Sequence, residues 1–407
     1  MSDLILREDY LGQLRKWRGT ELIKVVTGIR RCGKSTLLKQ FIAELEAEEA
    51  NEIIYVNFEA LEDESLTEYH ALYEYILARL QAGKDNYVIL DEIQMVDGYQ
   101  KVVDSLQLKE RVDIYMTGSN AYLLSGELST LLSGRYIEIE MLPLSFKEFY
   151  SARPGQTPDS VLADYMRYGA FPYIQKLPDD EAVDQYLESI YNTIIMKDIE
   201  EREARRSGNG RQARVTDLAL LRNISRYLAG NVGNYLSMRS IAGYLTSTGR
   251  KISQNTVADY VNVLVEPYLY YPVGRFDIQG KQLLRTNGKY YIADLGLRRH
   301  LLQRRNYDLG FSLENLVFLE LKRRGYRINV GKLGQLEVDF IAQKGDERVY
   351  YQVTADMTDA MTFERELAPL RKIRDHYPKV VLTLDRFTPG NYDGIEVKNI
   401  TDWLLDS

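Results

Sequence analysis

The chain reads GIRRCGKST from Gly28 to Thr36, between an apolar run and an amphipathic one, and so satisfies the pattern G-x-x-x-x-G-K-[ST]. Gly28 and Gly33 let the backbone wrap closely around phosphate. The N–H groups of Ile29, Arg30, Arg31 and Cys32, and the start of the next helix, then face negative charge. Lys34 reaches the β- and γ-phosphates, and Ser35, with Thr36 beside it, supplies a hydroxyl to Mg²⁺. Further on, NYVILDEIQ ends an apolar run in Asp91 and Glu92. A buried strand that finishes in two carboxylates is costly unless a cation and a water need them. Asp91 is placed to hold Mg²⁺, through water, and Glu92 to act as general base on the attacking water.

Three further positions are candidates with two readings each. VDIYMT runs into Gly118, Ser119 and Asn120, polar groups at a strand end that would contact the γ-phosphate or the water; plain turn chemistry explains the same residues. Arg135, in LLSGRYIEIEM, either serves as an arginine finger toward its own or a neighbour's nucleotide or is a surface arginine at a strand edge. Cys32 is either a thiol with a depressed pKa beside a helix N-terminus or a loop filler.

These residues need a scaffold, and the chain from Leu22 to Met141 supplies one. Short β-rich runs alternate with helical patterns, which indicates βαβ units and a parallel sheet covered on both faces. Residues 145–205 read as mostly helical, in the manner of a lid. RRSGNGRQAR, from Arg205 to Arg214, is Gly-rich and basic and marks a connection. Three helical patterns and two β-like runs follow, the outline of a winged helix-turn-helix over 206–305, with Ser253 as N-cap of the third helix. The last part, 306–407, reads as a further α/β unit in the order helix, three strands, helix, strand. The expected division is thus 1–144, 145–205, 206–305 and 306–407.

Composition narrows the function classes. With 407 residues, 45% hydrophobic and 27% charged, the chain is long enough for two or three cores and unlike a disordered or fibrous protein. One cysteine excludes an internal disulfide, and three histidines leave little material for a zinc site. The N-terminus lacks a signal-peptide layout, and no apolar stretch approaches the ~20 residues that span a bilayer. A cytoplasmic protein with no membrane contact is expected.

GIRRCGKSTLL, the LDEIQ strand, TGSN with LLSGR, PLSFKEFY and RYGAFP together resemble the prokaryotic AAA-family ATPases that carry a C-terminal domain of unknown function. That group is related to the archaeal-type and STAND ATPases. The resemblance implies an AAA+ core of five parallel strands, ATP and Mg²⁺ as cofactors, a sensor at TGSN and a helical lid. It also implies that Gly169 and Pro172 match a lid motif that contacts the nucleotide base, although a Gly-x-x-Pro turn is equally a helix breaker.

The charge is unevenly spread. The whole chain carries -7, from 52 Lys+Arg and 59 Asp+Glu; residues 201–330 hold 22 against 10, net +12, and the remainder is therefore -19. Arg250 and Lys251 precede the candidate recognition helix, and Arg275, Lys281, Arg285 and Lys289 fall in or near the wing, as phosphate contacts would. Gln254, Asn255, Thr256 and Tyr260 are assigned to the polar side of that helix, within reach of base edges. DNA is the expected partner; a protein partner, as in a signalling switch, is the alternative, and a homo-oligomer is compatible with either.

The tail resembles the PD-(D/E)XK nuclease fold, with Glu314 and Asp339 at the acidic positions. Where that fold carries a carboxylate, one residue and a lysine, this chain has Gln352, Val353 and Thr354. A carboxamide is a weaker Mg²⁺ ligand, and threonine supplies no positive charge. Glu337 and Asp356 are the candidates to compensate. A catalytically inactive fold used for binding or assembly is the expectation, with an ATP-gated Mg²⁺-dependent nuclease as the alternative.

Overall fold

The computed structural model describes residues 4–48, 51–119, 134–201, 203, 215–303 and 308–406, without the side chains at 200, 201, 285 and 286. The chain divides into two units, Met1–Pro143 with Glu266–Tyr268, and Leu144–Val265 with Leu269–Ser407.

In the first unit the elements run α1 (Glu8–Trp17), β1 (Ile23–Thr27), α2 (Lys34–Glu46), β2 (Asn51–Asn57), α3 (Tyr69–Leu77), β3 (Asp85–Asp91), α4 (Tyr99–Gln107), β4 (Val112–Gly118) and β5 (Tyr136–Glu140). The five strands form one sheet in the order β2-β3-β4-β1-β5, every neighbouring pair parallel. Every residue of β1 is buried, as expected of an interior strand of a parallel sheet covered on both faces. Alternate residues Val25, Val56, Leu90 and Met116 pack with Leu72, Ile76, Val102 and Leu106 of α3 and α4. Phe41 of α2 meets Tyr115 with ring centroids 5.0 Å apart. Lys24, fully buried in β1, is ion-paired to Asp113, whose other oxygen accepts from Gly19 N and Tyr115 Oη at 2.9 and 3.0 Å.

The second unit begins with α5 (Phe146–Ser151), α6 (Pro158–Tyr168) and α7 (Asp180–Thr193), then α8 (Leu218–Gly230), α9 (Met238–Ser247) and α10 (Gln254–Val265). Strands β6 (Tyr270–Asp277) and β7 (Gln282–Ile292) form a hairpin, followed by α11 (Leu295–Leu301). The tail continues α12 (Leu309–Arg323), β8 (Arg327–Leu333), β9 (Leu336–Lys344), β10 (Glu347–Thr354), α13 (Ala360–Arg371), β11 (Lys379–Thr383), β12 (Gly390–Tyr392), β13 (Ile395–Asn399) and α14 (Ile400–Leu405). Ser253 caps α10, its Oγ accepting from Thr256 N at 3.1 Å.

Sequence reasoning put a boundary between the hairpin and the tail, but the two share one sheet of eight strands, β12-β13-β11-β10-β9-β8-β6-β7. Strand β6 pairs in parallel with β8, Arg275 opposite Val330 and Asp277 opposite Lys332. The reason is mutual. An isolated hairpin is marginal in water, and β8 would otherwise present an open edge. The helices at 145–205 are likewise packed with the tail. Asp159 of α6 accepts from Arg386 Nε and Nη2 at 2.8 and 2.6 Å and from Thr401 Oγ1 at 2.9 Å. Among the described residues no helix is long and apolar enough to cross a membrane.

Candidate functional site

After β1 the backbone turns through left-handed conformations at Gly28 (φ 139°), Arg31 (φ 68°) and Gly33 (φ 109°). A Cβ on Gly28 would lie 2.1 Å from the Met141 carbonyl oxygen, so the loop has no room for another residue there. Lys34 opens α2 and folds back over the loop, 4% exposed, its Nζ donating to Gly28 O at 3.1 Å. The first turn of α2 contains no acidic residue, which leaves the positive end of the helix free to favour an anion. Ser35 and Thr36 are partly buried in that turn, and Arg30 is paired with Glu59 at 2.8 Å. Arg7, 2% exposed, braces the loop from behind, donating to Cys32 O at 3.1 Å and Leu142 O at 2.9 Å. No motif signalled that brace.

Strand β3 delivers the two carboxylates. Asp91 is fully buried and accepts from Thr117 Oγ1 at 2.5 Å and Tyr55 Oη at 3.1 Å. Glu92 adopts a left-handed backbone (φ 58°, ψ 46°), and its N–H donates to the same Thr117 Oγ1 at 2.9 Å. Its carboxylate accepts from Gln94 and lies 3.6 Å from Lys34 Nζ. Burial alone would push the Glu92 carboxyl up, but Lys34, the Gln94 hydrogen bond and Arg30 together hold it below its ordinary value. Because β4 lies between β1 and β3, one threonine at its end fixes both acidic residues. Thr117 is the first residue of the TGSN segment where the resemblance implies a sensor, but sequence reasoning singled out the polar groups one to three residues later. Ser119 is buried just beyond β4, and Asn120 lies outside the described residues.

Residues 20–150 match the AAA domain family, and residues 160–308 match a domain of unknown function (DUF8612). An uncharacterized protein of Haemophilus influenzae is 39% identical over 99% of both chains. The chain belongs to its family, and its phosphate-loop part is similar to an AAA domain. An uncharacterized protein of Methanocaldococcus jannaschii is 31% identical, covering 86% of this chain and 78% of its own. The solved Walker-type ATPase of Pyrococcus abyssi is similar over 74% of this chain and 96% of that one, at 16% identity and a TM-score of 0.48.

Within the AAA domain, two candidates are corrected. Arg135 precedes β5, and β5 runs parallel to β1 with Tyr136 opposite Ile23. Arg135 therefore starts at the end of the sheet opposite the phosphate loop, four strand residues or ~13 Å away, with its guanidinium paired to Asp104 at 3.0 Å. It is not placed to act on its own nucleotide. Cys32 is fully buried, and burial pushes its thiol up rather than down.

The domain of unknown function spans the expected lid and winged helix. A Cβ on Gly169 (φ 87°) would lie 2.2 Å from Asp294 Oδ1, and Asp294 accepts from Ala170 N at 2.6 Å and Leu297 N at 2.9 Å. The glycine before Pro172 is thus required by a buried carboxylate at the start of α11. Pro172 opens a short 3-10 turn, Pro172–Lys176.

The basic residues of this region divide. Arg250, Lys251, Gln254, Asn255 and Lys281 are exposed, with Arg250 paired to Asp217. Arg275 is half-buried on β6, its guanidinium 4.3 Å from the Tyr235 ring, and the Arg285 side chain lies outside those described. Tyr260 is not on a polar face: it is buried, and its hydroxyl accepts from Asp217 N at 3.1 Å. Lys289 is not on the wing surface either; it is 3% exposed and points into the tail.

There it meets the acidic residues. Lys289 Nζ is 2.8 Å from Glu314 Oε1 and 2.5 Å from Glu337 Oε1. Tyr291 Oη donates to Glu314 Oε1 at 2.5 Å, and Asp339 Oδ2 accepts from Val353 N at 2.8 Å. Burial first, then the neighbouring carboxylates, pushes Asp339 well up; burial also raises Glu314 despite Lys289. Gln352 and Thr354 turn to other partners, Glu366 at 3.1 Å and Asp356 O at 3.2 Å. Asp356 itself accepts from Thr358 N and Oγ1 and does not join the cluster.

Proposed function

We propose that the chain is an ATP-hydrolysing AAA switch whose nucleotide cycle acts on DNA through its basic winged helix. One observation carries the hydrolytic part: Lys34 and Glu92, both buried, lie 3.6 Å apart, while Thr117 bonds Glu92 and Asp91 together. The Gly28 cradle and the acid-free turn of α2 suit a triphosphate. Ser35 and Asp91 are the residues that would hold Mg²⁺, which when bound would neutralise charge on the phosphates. Lys34 exchanges its carbonyl partners for phosphate oxygens. Glu92, held below its ordinary pKa, is ionised at neutral pH and accepts the proton of the attacking water. With its own site out of reach, Arg135 is a candidate only toward a neighbouring copy's nucleotide.

The DNA part rests on the exposed set Lys251, Gln254, Asn255 and Lys281 at α10 and the hairpin turn. The test is paired. Lys34→Ala abolishes ATP turnover, and Glu92→Gln lowers it about 10²- to 10⁴-fold while nucleotide binding persists; full turnover in either variant overturns the site. A gel-shift series across salt concentrations, with and without ATP, then reads the second half. Lys251→Glu with Lys281→Glu weakens binding across all sequences and flattens its salt dependence. Indifference of both readouts assigns the switch to a protein partner instead.

A further inference from the structure

The carboxylate cluster of the second unit is assembled from three elements: Glu314 from α12, Glu337 and Asp339 from β9, and the amine of Lys289 from β7. Glu314 and Asp339 are each 7% exposed, so a charge on either needs a partner of opposite sign. We infer that the Lys289 ammonium is the resident cation of this cluster, filling the place a divalent metal takes in the fold the tail resembles and fastening the hairpin to the tail.

The geometry argues this in three steps. First, the ammonium is bonded to carboxylates of two different elements and has almost no contact with water. An amine desolvated to that degree belongs to those carboxylates as a metal ion would. Second, the positions from which such a fold draws its remaining carboxylate and its lysine are turned away, Gln352 to Glu366 and Thr354 to the Asp356 carbonyl. The missing positive charge is supplied instead from β7, outside the helix-and-strand order of the tail. Third, neighbouring contacts hold the same junction. Asn315 of α12 accepts from Ile292 N at 2.8 Å and donates to Ile292 O at 2.9 Å, and the Tyr291 and Phe318 rings stack with centroids 4.4 Å apart. The tail would then be an anchor for the winged helix rather than a nuclease. That conclusion stands or falls independently of the ATPase reading.

The experiment is a Mn²⁺ titration of the nucleotide-free full chain, read by the electron paramagnetic resonance of free Mn²⁺. Wild type and Asp339→Asn are expected to deplete Mn²⁺ equally. Lys289→Met gains one bound Mn²⁺, which Lys289→Met/Asp339→Asn loses again, and Mn²⁺ raises the melting temperature of Lys289→Met by about 5 °C while leaving wild type unmoved. A Mn²⁺ ion in wild type that disappears in Asp339→Asn overturns the inference, whether or not Lys289→Met folds. So does a folded Lys289→Met that binds no more Mn²⁺ than wild type, or Mn²⁺-dependent plasmid cleavage by wild type that Asp339→Asn abolishes.

Discussion

Each unit of the chain sets a buried lysine against a buried glutamate, and the two pairs differ in how completely the lysine is committed. Lys34 bonds neutral carbonyl oxygens of its own loop and stays 3.6 Å from Glu92. Lys289 makes direct contact with Glu314 at 2.8 Å and Glu337 at 2.5 Å. Carbonyl partners are readily exchanged for phosphate oxygens, whereas two carboxylates on one buried ammonium, one of them itself buried, are not. The same pair of residue types thus gives a site that can take a ligand in one unit and a site that has closed on itself in the other.

One substitution made at both places breaks or sharpens that contrast most strongly. Lys34→Met is expected to lower ATP turnover at least about 10²-fold with a modest change in stability, because Gln94 and Arg30 still face Glu92. Lys289→Met is expected to cost about 3–5 kcal/mol, the price of leaving a buried carboxylate unpaired, and Lys289→Met/Glu314→Gln to regain much of it. Turnover assays and urea denaturation read the two effects. If Lys289→Met proves stability-neutral, the second pair is as loosely committed as the first.

Asp294 tests whether burial in the second unit sets proton affinity as it does in the acidic cluster. Burial pushes its carboxyl up to about 6, against three backbone N–H donors that pull it down. A carboxyl whose folded pKa exceeds its unfolded value of 3.8 stabilises the fold fully below about pH 4. That contribution is lost as pH rises toward 6 and then stays constant. The span is about 3 kcal/mol. Asp294→Asn carries no such titration, so its stability relative to wild type is expected to improve by about that amount between pH 4 and 7 in urea midpoints. A constant difference across that range would show the carboxylate ionised throughout.

The contrast between the units also explains what could be read from the chain. The phosphate loop was legible because its requirements are local: two glycines, a lysine and a hydroxyl within nine residues, and a strand that ends in its carboxylates. The strand at 112–118 was equally legible, but its insertion between β1 and β3 was not, and that insertion is what turns Thr117 into the link between Asp91 and Glu92. The hairpin failed for the same reason. Lys289 and Tyr291 alternate with Tyr290 in β7, as Glu337 and Asp339 do in β9, so a shared face was visible in each strand. Which surface that face met depended on the β6–β8 pairing, a contact between segments more than fifty residues apart. Basic composition then favoured a solvent-exposed wing, and of the described basic side chains in that set Arg250, Lys251 and Lys281 are exposed while Arg275 and Lys289 are not.

The finest test of the first site is the first residue of the TGSN segment, which sequence reasoning did not single out. Thr117 Oγ1 donates to Asp91 and accepts from the Glu92 N–H, so it positions two groups without itself touching phosphate. Thr117→Val keeps the shape and removes both bonds, at a cost of about 1–3 kcal/mol for the polar groups left unpaired. If its role were only structural, that loss of stability would be the whole effect. As a positioning residue it is expected to lower kcat about tenfold at unchanged KM, with Thr117→Ser restoring turnover because the hydroxyl returns. A Thr117→Val enzyme with wild-type kcat would mean that Lys34 and Gln94 alone orient Glu92, and that the bond from β4 merely closes the end of the sheet.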